Sequence, residues 1–160
     1  MLEPVLVEHL ESDGTLIVGT VDPAGVPEAT YGWALEVLDA GAAARVRFLV
    51  PARAARTLAN LEATGRVAAT VTDVETLVSA QLKGHATPGA PVTPADTRRC
   101  GRRFDAVMDR IHETDGTPKD VLERFRPGRV VAVTMVVEEV YDQTPGPVAG
   151  ARLAPTAEPT

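Results

Sequence analysis

A chain of 160 residues, 44% of them hydrophobic and 24% charged, is one ordinary domain able to bury a core. It has no run of 18 apolar residues for a membrane span and no basic-then-apolar start, so neither a membrane segment nor a secretory signal is expected. The single cysteine, Cys100, excludes an intrachain disulfide and any multi-cysteine metal site, which points to a reducing cytoplasm, and the net charge of −6 argues against a general nucleic-acid binder.

Pro4 to Glu11 places Val5, Leu6, Val7 and Leu10 at helical spacing. Thr15 to Val21 is a β-rich apolar run, and Asp22-Pro23-Ala24-Gly25 after it carries turn chemistry. Pro27 to Asp39 alternates, with Ala29, Tyr31, Trp33, Leu35 and Val37 on one predicted face, as the second arm of a hairpin. A loop leads to a third strand, Arg45 to Val50. Pro51 to Thr64 is Ala-rich and predicts a helix with Pro51 at its entry, Gly65 at its exit, and Ala54, Leu58 and Leu61 on one face.

Arg66 to Thr72 returns to strand. Thr76 to Ala86 is a fifth strand, with Ser79, Gln81 and Lys83 opposite Val78, Ala80 and Leu82. After a loop from Pro88 to Pro94, Thr93-Pro94-Ala95-Asp96 is a helix start. Cys100, Phe104, Val107, Met108 and Ile111 then form one helical stripe. Thr117-Pro118-Lys119-Asp120 opens a shorter helix through Phe125. Arg129 to Tyr141 is a Val-rich strand apolar on both faces. From Gln143 onward the tail is rich in Pro, Gly and Ala and is expected to be irregular.

Six strands and four helices result, with the first three strands joined by short connections. That order predicts a mainly antiparallel sheet, closed or nearly so, with helices outside it. Residues 1–142 make one domain with a helical insertion at about 93–126, and residues 143–160 make a tail. Rossmann and P-loop glycine patterns are absent.

The chemistry-bearing residues are few. His9, His85 and His112 have no partner at metal-ligand spacing and read as ordinary surface histidines. Cys100 sits on an apolar stripe and reads as a core residue. Residues 1–40 carry eight acids and no Lys or Arg, whereas residues 41–95 carry six bases and three acids. A local basic segment in an acidic chain suits a small anion. Its centre is the strand-to-helix junction from Phe48 to Asn60, where Arg53, Arg56 and Thr57 fall near a helix N-terminus. Two readings stand for that pair of arginines, a phosphate cradle and a solvated surface.

The stretch from Leu16 to Gly84 resembles the pyridoxamine 5′-phosphate oxidase-like family of FMN-binding split β-barrels. The shared pattern is an apolar strand, a Gly turn, and Pro27-Glu28-Ala29-Thr30 opening a long second strand. A third strand follows, then a basic helix ending Asn60-Leu61, then Gly65-Arg66-Val67-Ala68 and a strand ending Lys83-Gly84. The resemblance implies a six-stranded antiparallel split barrel, mainly β with peripheral helices. It also implies a homodimer with FMN, or a deazaflavin in its place, at the subunit interface, and a small-molecule substrate or electron donor.

The family's Ser-Arg-Lys phosphate site falls on Ala55-Arg56-Thr57, with Arg53 one turn earlier as a second positive charge. Val50 and Pro51 are then expected to line the phosphate and ribityl region, and Ser79 and Gln81 to meet the flavin. Trp33 is expected near the ring edge, where stacking and a core role both stand. The oxidases' Arg-x-His pattern is absent, so pyridoxamine phosphate itself is not the expected substrate. Arg152-Leu153-Ala154-Pro155 does resemble their C-terminal end. The implied activity is an FMN-dependent oxidoreductase. The alternative is a non-catalytic barrel holding flavin, deazaflavin or haem.

Overall fold

The computed structural model describes residues 1–153. Pro4–Leu10 forms α1, and Thr15–Val21 (β1) and Pro27–Asp39 (β2) form an antiparallel hairpin. Its turn is made by Asp22, whose Oδ1 accepts from the Ala24 and Val26 N–H groups at 2.9 and 2.8 Å, and by Gly25 at φ 86°. Arg45–Pro51 is β3, Ala55–Thr64 is α2, Arg66–Thr72 is β4 and Ser79–Ala90 is β5. The helices Pro94–Asp115 (α3) and Lys119–Leu122 (α4) follow, α4 running into a 3₁₀ turn at Glu123–Phe125. Val130–Asp142 is β6 and Arg152–Leu153 is β7.

The sheet order is β3-β2-β1-β4-β5-β6-β7, every pairing is antiparallel, and β3 also pairs with β6. That last ladder closes six strands into a barrel and leaves β7 outside. Leu16, Val18, Val46, Phe48, Val50, Ala69, Leu82 and Met135 point inward and form its core. The ends are closed by helices. Leu2 and Leu10 reach the core from the α1 end, where His9 Nε2 lies 3.2 Å from the Val71 carbonyl oxygen. Leu61 reaches it from α2 at the other end, where Asn60 Nδ2 donates to Thr20 Oγ1 at 3.1 Å. No helix among the described residues is long and apolar enough to cross a membrane.

A second apolar cluster lies outside the barrel. Trp33, Ala34, Leu49 and Ala132 meet Cys100 and Phe104 of α3 there. The stripe read from the sequence is the buried face of α3, and Thr93 and Asp96 form the capping box that starts the helix. Asp96 also fixes α3 to the barrel. Its carboxylate is 3% exposed and accepts from Arg47 Nη2 and Arg99 Nη2, each at 2.7 Å. The hydrogen bond from Arg47 holds that carboxyl well below the usual carboxylate range, against the opposing effect of burial.

Four expectations are corrected. The face assigned to Ala29, Tyr31, Trp33, Leu35 and Val37 is broken by a bulge. Ala34 sits at φ 55° and the pairing with β3 shifts between Trp33 and Glu36, so Trp33 faces α3 while Leu35 faces the barrel core. Next, α2 begins at Ala55, because Pro51 is still paired to Val130 as the last residue of β3. The fifth strand starts at Ser79 and continues through Pro88 to Ala90. Pro88 is tolerated because β4 has already ended beside His85 and a register shift follows it. The tail is not wholly irregular: Tyr141 and Val140 pair with Arg152 and Leu153. Ala154 and Pro155, the rest of that four-residue resemblance, lie outside the described residues.

Candidate functional site

The junction between β3 and α2 is a short turn in which the Ala54 N–H donates to the Pro51 carbonyl and the Ala55 N–H to that of Arg53. No side chain among the described residues caps α2. Arg53 therefore precedes the helix instead of sharing a face with Arg56, and both side chains are exposed. Arg56 is 83% exposed, with Nη1 3.7 Å from Glu28 Oε2. Thr57 is opposite in character. It is 1% exposed, and its buried Oγ1 has no hydrogen-bond partner among the described residues. A buried hydroxyl left without a partner costs about 1–3 kcal/mol.

A cleft of about 630 Å³ opens beside this junction, on the outer face of β1, β2, β4, β5 and β6. Its floor is flat because Ala29, Gly19 and Ala68 stand side by side across three strands, with Lys83 beside Ala68 on the next. Glu28, the partner of Arg56, lines it, as does Thr20, the partner of Asn60. Arg66, Lys83 and His85 line it too, facing Glu138 and Glu139. Lys83 Nζ lies 4.4 Å from the centre of the Tyr141 ring, and His85 Nδ1 is 2.9 Å from Glu138 Oε1. Gly84 is required here, because a Cβ on it would stand 2.0 Å from the Val136 carbonyl oxygen.

The sequence-predicted residues are only partly brought together. Arg53, Arg56 and Thr57 all lie at the start of α2, the two arginines exposed and Thr57 buried. Val50 is fully buried with its side chain in the barrel core, and Pro51 is buried at the strand end. Ser79 lies beside Thr72, five residues along β4 from the Val67 that pairs with Thr20, which is about 17 Å at strand rise. Its hydroxyl is engaged by Thr72 Oγ1 and the Leu77 carbonyl, each at 2.9 Å. Gln81 Nε2 donates to Thr70 Oγ1 at 2.8 Å. Trp33 is 6% exposed and covered by Phe104, with ring centres 5.2 Å apart, on a part of the barrel surface outside this cleft.

Sequence reading singled out neither Thr20 nor Glu28. Thr20 is a polar residue at an inward position of β1, and that is the signal that marks it. Glu28 gives no signal, since its role follows only from how β2 passes α2.

No family model and no curated protein matches this chain. Solved structures do. HupZ of Group A Streptococcus is 18% identical, with 94% of this chain and 100% of that one covered at a TM-score of 0.57. A candidate pyridoxamine 5′-phosphate oxidase from Lactobacillus delbrueckii is 17% identical, with 88% and 93% covered at 0.54. An F420 reductase is 18% identical, with 83% and 93% covered at 0.54. The chain thus has the pyridoxamine 5′-phosphate oxidase-like split-barrel fold, as the sequence pattern implied.

Proposed function

We propose that the chain is a flavin-type cofactor-binding oxidoreductase of the split-barrel fold, with the cofactor phosphate held at the start of α2. The observation that carries this reading is the buried, unpartnered Thr57 Oγ1 next in sequence to Arg56, whose guanidinium reaches Glu28 on the wall of the flat cleft. These groups fit a phosphate monoester: two guanidiniums supply charge, the hydroxyl supplies one donor, and an uncapped helix start supplies a favourable dipole. FMN or a deazaflavin, when bound, supplies hydride chemistry. The resemblance to an F420 reductase brings F420 into the same test.

The chain's own residues bind and orient. Arg56 leaves Glu28 to meet the phosphate, and Arg53 adds the second charge. Ala29, Gly19 and Ala68 let a flat ring approach the sheet closely, with Lys83 at its edge. Contacts from Gln81 require its side chain to exchange Thr70 for the ligand, and those from Ser79 require release of Thr72. A second copy of the chain covers the exposed sheet face around Ile17 and completes the site in a homodimer, in a reducing cytoplasm.

Titration of the purified protein with FMN and with F420, followed by absorbance and by quenching of flavin fluorescence, tests the reading. Saturation by one of them, weakened in Arg56→Ala, is the expected result. Sedimentation gives the dimer. Absence of saturation by either cofactor removes the proposal, and a Soret band in the purified protein transfers it to haem.

A further inference from the structure

The helical insertion has no part in the phosphate site, yet it builds a second cleft. This one measures about 350 Å³ and lies between α3, α4 and the outer face of β1 and β2. Trp33, Met108, Ile111 and Val121 line it, with Tyr31 and Phe125 at its mouth in edge-to-face contact at 5.6 Å. None of its described lining residues is charged, and it shares no lining residue with the cleft beside α2. Trp33 is the one residue lining it that carries a buried polar atom without a partner: its Nε1 is a donor with no acceptor among the described residues. An indole N–H in that state is rare, because buried Trp donors find partners. A small void of about 10 Å³ adjoins the cleft, sharing Leu16, Gly32, Trp33 and Val107 with it, and holds one water at most.

We propose that this cleft is a binding site for a neutral, largely apolar molecule of one or two rings that carries a hydrogen-bond acceptor for Trp33 Nε1. Three observations point the same way. The volume exceeds the roughly 150 Å³ that suffices for benzene and falls at the small end of ordinary ligand pockets. The uncharged wall penalises an ion, which would be desolvated there without a partner. The orphan donor selects a carbonyl, ether or ring nitrogen over a plain hydrocarbon. Arg126, outside the cleft, fixes the two helices that form its roof. The Arg126 guanidinium lies 4.1 Å from the centre of the Phe104 ring, and it pairs with Asp105 at 2.7 Å, holding the end of the α4 segment against α3. The site does not depend on the flavin reading.

Trp33 is the only tryptophan, so its fluorescence reports the site directly. The probe is 2-acetylnaphthalene, with 2-ethylnaphthalene as the control lacking an acceptor, each measured by Trp33 emission and by equilibrium dialysis. One saturable site per chain is expected, with the acetyl compound bound about tenfold more tightly. Val121→Asp and Phe125→Ser are each expected to weaken both compounds at least tenfold, on the order expected for a charge or a lost wall in an apolar site. Both positions are partly exposed, so either variant suffices if the other unfolds. Trp33→Phe, followed by dialysis, is expected to erase the preference for the acetyl compound. Lack of saturable binding, or binding undiminished in both wall variants, overturns the proposal. So does a dimer that Val121→Asp dissociates while the probe never binds, since the cleft is then covered by a second copy. An acetyl preference that survives Trp33→Phe overturns the role given to the indole.

Discussion

The two clefts lie on the outside of one barrel and differ in what covers them. Beside α2 the sheet is bare, its floor is made of glycine and alanine, and its rim carries Arg56, Lys83, Glu28 and Glu138. Beneath α3 and α4 the sheet is roofed, its wall is aromatic and aliphatic, and no described charge reaches it. The barrel interior is the same dry core beneath both. Recognition on this fold is therefore set by what the chain lays over the strands, and the strands themselves are a support. Charge stays where water stays, and the insertion removes both.

The largest expected effect comes from detaching the roof. Asp96→Asn leaves Arg47 without its buried counter-charge and Arg99 with Glu36 alone, and breaking a buried pair from one side costs about 3–5 kcal/mol. Urea unfolding should show a loss of that order, while FMN affinity at the bare cleft stays unchanged. Cys100 gives a local check. Burial pushes its thiol up to about 11, so alkylation at pH 8 should be slow in the wild type and fast in Asp96→Asn. Equal alkylation rates in the two proteins would mean that Asp96 does not hold α3 down.

The same carboxylate gives the roof an acid limit. Its folded pKa lies below its unfolded value, so the stabilisation is complete above the ordinary Asp range, about 3.9, and is lost as pH falls toward the folded value. Melting temperature should be flat from neutrality down to about pH 5 on account of this group and then decline. Asp96→Asn should flatten the acid limb. An unaltered limb in that variant would assign acid unfolding to other carboxylates.

At the bare cleft the expected effect is smaller. Arg56→Ala removes one charge-assisted contact to the phosphate, worth about 1.5–3 kcal/mol, or roughly ten- to a hundredfold in FMN affinity. Its exposure means that folding should be unaffected. Unchanged affinity would move the phosphate away from α2.

The two regions were not equally legible. Strands β1, β2 and β4 and the capping box of α3 follow from period-two patterning, turn residues and the Thr93–Asp96 spacing, all local signals. The α3 stripe announced a buried face. What it faces was hidden, because the Ala34 bulge moves Trp33 to the other side of β2 and no residue type there demands a bulge. At the bare cleft Arg53 and Arg56 were visible as charges near a junction. The helix starts four residues later than the sequence predicts, since Pro51 suits a helix entry and a strand end alike. The flat floor depends on register between strands distant in sequence, which periodicity does not carry.

The smallest expected effect is also the sharpest for the bare cleft, because it changes sign between the free and the bound protein. Thr57→Val replaces the unpartnered hydroxyl with a methyl of similar shape in a site that is 1% exposed. In the free protein this should stabilise by about 1 kcal/mol, since an unsatisfied buried oxygen disappears. FMN affinity should fall by about as much, since the phosphate loses a donor. A core threonine with no ligand shows only the first effect, and one satisfied by a buried water shows destabilisation without ligand. Opposite signs in unfolding and in titration are the mark of a hydroxyl kept for a bound anion.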